Sequence, residues 1–353
     1  MCKITDITID GYRGISALRL HGLRRVNLLL GNNSSGKSSA LEAVLILIGA
    51  ANPALPVQMN RERNYGGIRR EDLQLFFHGL QTDTPITMTA AFEDGGGREL
   101  QISFFESPVQ RVPIADVEKD GAQALAGGTN YGLLYRYTDK GEAKPKTSRL
   151  LVRPEKKEVS ATSPDNGKPP REAAFVAPRY NFNDFISHFS QIVTDKEKEA
   201  VLDVLRGVEP GIRDVAVVGD RVMVDTGLPR LVPINVLGDG VRKMFTLITA
   251  MYSVRGGILL IDEIDNGLYY KTMRTLWTAI LTAAEKLNVQ VFASTHSLDS
   301  LRSLRTVVED GTAGNAGSIG VYTLRRTPDG RNAALAYGFS EFSYILGQEV
   351  EIR

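Results

Sequence analysis

The chain has 353 residues, 42% hydrophobic and 24% charged, and its 42 Lys+Arg against 41 Asp+Glu leave a formal net charge of +1. That length can bury a sizeable core as one large domain or two small ones. The charge balance excludes a generally basic nucleic-acid coat and an acidic disordered tail, while a local basic groove stays compatible with it. The single cysteine, Cys2, excludes an internal disulfide and a cysteine-based zinc site, and it points to a reducing, cytoplasmic compartment. No apolar run reaches the ~18–20 residues of a membrane span, and Met1-Cys2-Lys3 opens no secretory leader.

In chain order, Ile4, Ile7 and Ile9 and then Leu18 to Leu20 predict strands around the Gly11–Gly14 turn. Val26 to Leu30 reads as a strand buried on both faces, and Leu41, Val44, Leu45 and Ile48 recur at helical spacing over 38–48. Residues 52–97 read as an inserted sheet layer, with an Arg-rich stretch (Arg61, Arg63, Arg69, Arg70) and strand-like residues over Pro85–Phe92. The basic stretch from Arg136 to Lys157 predicts an exposed hairpin, and Ser160–Pro170 a loop. Phe182, Phe185, Ile186, Phe189 and Val193 share one helical face, and 194–197 offers an N-cap for a second helix through Leu205. The two helices predict a small lid. Ile258–Ile261 and Val289–Ala293 read as buried strands flanking a helix with Met273, Leu276, Trp277, Ile280, Leu281, Ala284 and Leu287 on its buried stripe.

Gly31-Asn32-Asn33-Ser34-Ser35-Gly36-Lys37-Ser38 fits the phosphate-loop pattern G-x-x-x-x-G-K-[ST] and lies between a predicted strand and helix, the context that pattern requires. Glycines let successive N–H groups turn toward phosphate oxygens, and the helix N-terminus adds partial positive charge. Lys37 reaches toward β- and γ-phosphates, and the Ser38 hydroxyl is a Mg²⁺ ligand of the expected kind; Ser39 closes the motif. Asp262, at the end of an apolar strand, is the second expected Mg²⁺ ligand. Glu263 alternates to the other side and is the expected general base. His296 follows the next strand and is the expected γ-phosphate sensor; His21, His78 and His188 read as structural. Leu237-Gly238-Asp239-Gly240 is a weaker signal, a Gly-rich turn opening a helix over Met244–Tyr252.

The order of these motifs resembles the ABC-type ATPase heads of the SMC/RecF/OLD class. It is most similar to stand-alone prokaryotic AAA ATPases related to OLD proteins and to the ATPase subunit of the PARIS anti-phage system. The resemblance is carried by residues 31–39, 237–240, 261–268 and 290–297; residues 98–170 match loosely. It implies an α/β P-loop NTPase of ABC-head type: a mixed central sheet with flanking helices, N-terminal antiparallel strands and an inserted helical lid. It divides the chain into an N-terminal lobe (1–97), an inserted β/helical lid region (98–230) and a C-terminal lobe (231–353). It further implies two heads enclosing two ATP molecules, with Gly238, Asp239 and Gly240 touching the γ-phosphate in trans and Asp265 and Asn266 crossing the dimer as a D-loop. Transporter-type signatures read Leu-Ser-Gly-Gly-Gln; here Gly238 and Asp239 replace the Ser-Gly pair, and the carboxylate needs Arg242 or Lys243 to offset it. Gln74 is the candidate Q-loop residue. Arg13 either approaches the nucleotide or forms a surface salt bridge.

Two functions follow. The first is an ATP-hydrolysing switch, a homodimer or higher homo-oligomer, controlling a separate effector protein such as a nuclease in anti-phage defence, since the chain after His296 is too short for a Toprim domain. The second is a DNA-repair or chromosome-associated head binding duplex DNA through its basic stretches. A small-molecule kinase would not need the Gly238 turn or the Asp262-Glu263 pair, and the long insertion argues against a transporter subunit.

Overall fold

The computed structural model describes residues 3–62, 68–108, 129–164, 171–178, 184–327 and 330–348. Its strands are β1 (Ile4–Tyr12), β2 (Ile15–Leu20), β3 (Val26–Leu30), β4 (Ile86–Phe92), β5 (Gly97–Pro108), β6 (Thr129–Asp139), β7 (Lys146–Arg153) and β8 (Glu158–Thr162), then β9 (Ala173–Val176), β10 (Asp214–Val218), β11 (Arg221–Asp225), β12 (Val232–Pro233), β13 (Ile258–Ile261), β14 (Gln290–Ser294), β15 (Ile319–Arg326) and β16 (Asn332–Gly338). The helices are α1 (Lys37–Ile48), α2 (Leu55–Glu62), α3 (Arg70–Gln74), α4 (Asp184–Thr194), α5 (Lys198–Arg206), α6 (Asp239–Ser253), α7 (Met273–Lys286), α8 (Leu298–Glu309) and α9 (Phe339–Gly347).

The site hangs on a six-stranded sheet in the order β16-β15-β3-β14-β13-β9. All its pairings are parallel except β15 with β16. Every residue of β3, β13 and β14 is buried, which is why these segments are largely apolar without alternation; their polar members Asn27, Gln290 and Ser294 are hydrogen-bonded. The period of two still decides which layer each side chain enters. Ile258 and Leu260 of β13 and Phe292 of β14 join the core around α1, while Leu259, Ile261, Val291 and Ala293 join the core formed with α4 to α8. Helix α1 is therefore enclosed between this sheet and a second, antiparallel one, in the order β2-β1-β4-β5-β6-β7-β8. That placement explains an α1 that is apolar nearly all round, with eight of its residues buried.

Several expectations need correction. The β4–β5 hairpin carries the antiparallel sheet straight across position 97, so the strands to 162 continue the N-terminal sheet and are not a separate insertion. β9, also within 98–230, pairs with β13 in the six-stranded sheet. The basic segment over 136–157 does form a hairpin, β6–β7, with an exposed tip at 140–145, but its strands are half-buried rather than exposed. Tyr135, Tyr137, Leu150 and Val152 point into the core; Arg136, Arg149 and Arg153 alternate with them on the other face, while Lys140, Lys144, Lys156 and Lys157 lie in the turns that follow the strands. β8 extends that sheet through Thr162. The helices expected as a lid pack into the main core: Phe189 of α4 meets Phe245 of α6 edge-on at 5.1 Å between ring centroids, and Val201, Leu202 and Leu205 of α5 are buried there. Val193 is exposed rather than on the packed face. The residue capping α5 is Glu197, with no side-chain cap bond. α6 begins at Asp239, a full turn before the expected Met244. Arg63 and Phe182 lie outside the described residues, as do positions 165–170 of the expected loop.

Arg13 is not in a surface salt bridge, and it is not among the residues lining the cleft described below. Its side chain is only 11% exposed and its Nε lies 2.9 Å from the Glu42 carboxylate, itself 2% exposed, in the wall of α1. The guanidinium also donates to Asn60 Oδ1 at 3.1 Å and lies over the Phe76 ring at 4.7 Å. Removing one partner of a buried pair leaves the other charge uncompensated in a low dielectric. Arg13→Met is therefore expected to destabilise the fold by about 3–5 kcal/mol, with part of the loss recovered in Arg13→Met/Glu42→Gln. Denaturant unfolding of the two variants against the parent checks this; equal loss in both would refute it.

Candidate active site

β3 ends at Leu30 and the chain turns back at Gly31, whose φ is +135. A Cβ there would stand 2.3 Å from the Leu324 carbonyl oxygen of β15, so the loop sits this deep only because residue 31 is glycine. The next bends are at Ser34 (φ +64) and Gly36 (φ +100), the residue capping α1. The Ser35 N–H is used within the loop, donating to the Asn32 carbonyl oxygen at 3.2 Å, and the loop ends at the N-terminus of α1, where free N–H groups can receive phosphate oxygens. Lys37 Nζ donates to the Gly31 and Asn32 carbonyl oxygens at 2.7 and 2.9 Å. Burial lowers its pKa, and the carboxylates of Asp262 and Glu263 pull the other way.

The parallel register Ile261↔Ala293 sets Asp262 beside Ser294. Ser294 Oγ donates to Asp262 Oδ1 at 2.5 Å and accepts the Glu263 N–H at 2.8 Å, so one hydroxyl holds both acidic residues. Glu263 is left-handed, with φ +50, a conformation that costs a non-glycine residue roughly 1–2 kcal/mol. Its carbonyl accepts the Asn266 N–H at 3.0 Å, and its carboxylate accepts Asn266 Nδ2 at 3.2 Å. Asp265 accepts a short hydrogen bond from Thr295 Oγ1. The two acids and the turn after them are thus held by β14 and its extension.

Together these elements enclose a cleft of about 480 Å³ lined by Asn33, Ser34, Gly36, Lys37, Ser38, Ser39, Asp262, Glu263 and His296, with Gly14 from the β1–β2 turn. Gly31, Asn32 and Ser35 form the base of the loop and do not line it. His296 is exposed two residues past β14. Gly238, Asp239 and Gly240 are not among the lining residues. They abut the 265–268 turn, where Cβ atoms at Gly267 and Gly240 would come 3.8 Å from Asp239 and 3.7 Å from Leu268. Gln74 ends α3, away from the lining.

The charge compensation expected at Asp239 is divided. Arg242 pairs with it at 3.2 Å, whereas Lys243 turns inward, 3% exposed, with Nζ 3.5 Å from the Glu263 carbonyl oxygen. Burial brings its pKa down to about 8 against the opposing pull of Asp265, Asp262 and Glu263. The chain itself does not require glycine at position 238: its φ is −56 and nothing lies within 4 Å of a Cβ there.

Residues 128–302 match the family described as "AAA domain, putative AbiEii toxin, Type IV TA system". Residues 2–61 match a family described as a protein of unknown function, DUF2813. An "ATP/GTP phosphatase" of Helicobacter pylori is 24% identical over 331 residues, covering 87% of this chain and 89% of the relative. An uncharacterized protein of Methanocaldococcus jannaschii, MJECL10, is 41% identical over 49 residues, 14% of this chain and 22% of its own. Among solved structures, an SMC head bound to the C-terminal winged-helix domain of ScpA aligns over 96% of this chain and 98% of its own, with TM-score 0.52 and 11% identity. The fold is that of an ABC-type ATPase head. The sequence matches are thus to an AAA-domain family over just under half of the chain and to a relative named as a nucleoside-triphosphate phosphatase. Among the described residues no helix is long and apolar enough to cross a membrane.

Proposed function

We propose that this protein is an ATP-hydrolysing switch whose nucleotide-dependent head-to-head assembly controls a separate effector protein. The observation carrying this reading is the convergence on one cleft of the phosphate loop, Asp262, Glu263 and His296, contributed by three separate segments. The name of the Helicobacter pylori relative supports triphosphate hydrolysis.

In this reading the N–H groups of residues 33, 34 and 36–38 and the Lys37 ammonium bind the phosphates. Ser38 and Asp262 would hold Mg²⁺. Both offer hard oxygen donors on the cleft wall, and no group of three or more His, Cys, Asp or Glu suited to a metal occurs among the described residues. A two-ligand site completed by phosphate and water is how Mg²⁺ is commonly held. The ion supplies charge compensation on the phosphates. Glu263 orients and deprotonates the attacking water, and His296 donates toward the γ-phosphate oxygens.

Gly238, Asp239 and Gly240 would meet the γ-phosphate of a second copy, and Asp265 and Asn266 would line the shared seam. Their position outside the cleft, and a Gly238 that its own chain leaves unconstrained, support a role toward an external ligand. The description of the family matching 128–302 supports a setting in prokaryotic defence; a nuclease is the effector class we favour, acting in the cytoplasm.

The test is phosphate release from ATP and GTP with and without Mg²⁺, together with the native mass of the chain in each nucleotide state. The expected result is Mg²⁺-dependent release and a doubled mass with ATP. Release without any ATP-dependent change in mass would remove the assembly half of the proposal, no release would remove the hydrolysis half, and neither release nor a change in mass would remove both.

A further inference from the structure

The phosphate loop does not hold its shape alone. The β15–β16 hairpin lies behind it: the Leu324 carbonyl oxygen backs Gly31, and Asn332, the first residue of β16, reaches the loop with its side chain. That side chain is 9% exposed and both ends of its amide are used. Oδ1 accepts the Ser16 N–H of β2 at 3.2 Å, and Nδ2 donates to the Ser35 carbonyl oxygen at 3.3 Å. An N–H on one side and a carbonyl on the other fix which end of the amide is which. Asn332 thus ties together three segments separated by 316 and 297 positions in sequence.

The bond to Ser35 has a directional consequence. In a planar trans peptide the C=O and the following N–H point in opposite directions. With the Ser35 carbonyl drawn back toward Asn332, the Gly36 N–H is turned the other way, toward the cleft that Gly36 lines. The same amide nitrogen stands 3.4 Å from where a Gly36 Cβ would be, so loop and clamp are in close contact. We infer that Asn332 is a positioning residue for phosphate binding, setting the Ser35–Gly36 peptide so that its N–H faces the phosphates. This inference rests on the reading of the loop as a nucleotide site.

The experiment is calorimetric titration of ATP and of inorganic tripolyphosphate into the parent chain, Asn332→Leu and Asn332→Asp, with thermal unfolding of each apo protein. Asn332→Leu retains the volume and removes both bonds. Asn332→Asp retains an acceptor for Ser16 and removes the donor to Ser35, placing a repelling oxygen there. The expected result is weakening of about tenfold for Asn332→Leu, the size of one neutral hydrogen bond, equal for ATP and tripolyphosphate. Asn332→Asp should weaken both at least as much, with the apo protein still folded at the titration temperature although its buried carboxylate lowers the unfolding midpoint. Equal weakening of both ligands separates a defect in the phosphate loop from one at the base or ribose. Affinities within twofold of the parent, loss for ATP alone, or affinity loss only alongside global unfolding of both variants would each overturn the inference. A parent chain that binds neither ligand would instead overturn the nucleotide reading itself.

Discussion

Glu263→Gln is expected to slow phosphate release by about 10²–10⁴-fold, the range a positioned general base contributes, while leaving ATP affinity within about threefold. The substitution is nearly isosteric. A glutamine carbonyl oxygen can still accept the Asn266 Nδ2 hydrogen bond seen at 3.2 Å, and the backbone bond from the residue 263 N–H to Ser294 is untouched. What disappears is the capacity to take a proton from water. Removing a negative charge from the cleft wall also lessens repulsion of the triphosphate, so binding has no reason to weaken. Under the switch reading the variant should accumulate in its ATP-bound assembled state, visible as a persistent doubled native mass. Single-turnover release, nucleotide titration and native mass decide the matter together. Release within threefold of the parent would take Glu263 out of its role and move attention to His296, which also lines the cleft.

What was readable in the sequence was what depends on neighbours along the chain. The phosphate loop is contiguous, and its flanking strand and helix announce themselves through an unbroken apolar run and a helical repeat. The Asp262-Glu263 pair follows the same rule, because a strand end is a local feature. Residues whose partners lie far away were not readable in that way. Asn332 has no motif around it, and its role exists only once β16 lies behind residue 35. Gly14 lines the cleft because the β1–β2 turn folds over it, which the turn's own glycines do not reveal. The hairpin over 136–157 is legible, but its burial is not, because Arg136, Arg149 and Arg153 on one strand face and the lysines of the turns outweigh the apolar residues of the other face. Arg13 is the instructive case. A single glutamate, Glu42, inside an otherwise apolar helix was a visible sign that some cation must be buried with it. Only the fold identifies that cation as Arg13.

Lys37→Met is expected to weaken ATP binding by about 10²-fold or more, on the basis that a hydrogen bond to a charged group contributes about 1.5–3 kcal/mol and that this ammonium faces several phosphate oxygens. Methionine keeps an unbranched apolar stem and removes only the charge and its donors. In this structure the ammonium is folded onto the Gly31 and Asn32 carbonyl oxygens. Those bonds hold it over the mouth of the loop, where it must reorient when phosphate arrives. Burial already disfavours its charged form, and the pull of Asp262 and Glu263 opposes that. A bound triphosphate adds several negative charges on the cleft side and offsets the desolvation further. The gain from Lys37 is therefore realised mainly with ligand present, so its removal should weigh on affinity far more than on the stability of the apo fold. The combination to measure is a large rise in Kd by calorimetric titration with an apo unfolding midpoint near the parent's. A Kd unchanged in Lys37→Met would mean that the loop does not grip phosphate through this side chain. A midpoint that falls as steeply as the affinity would assign the ammonium to holding the loop itself, through the two carbonyl oxygens it now covers.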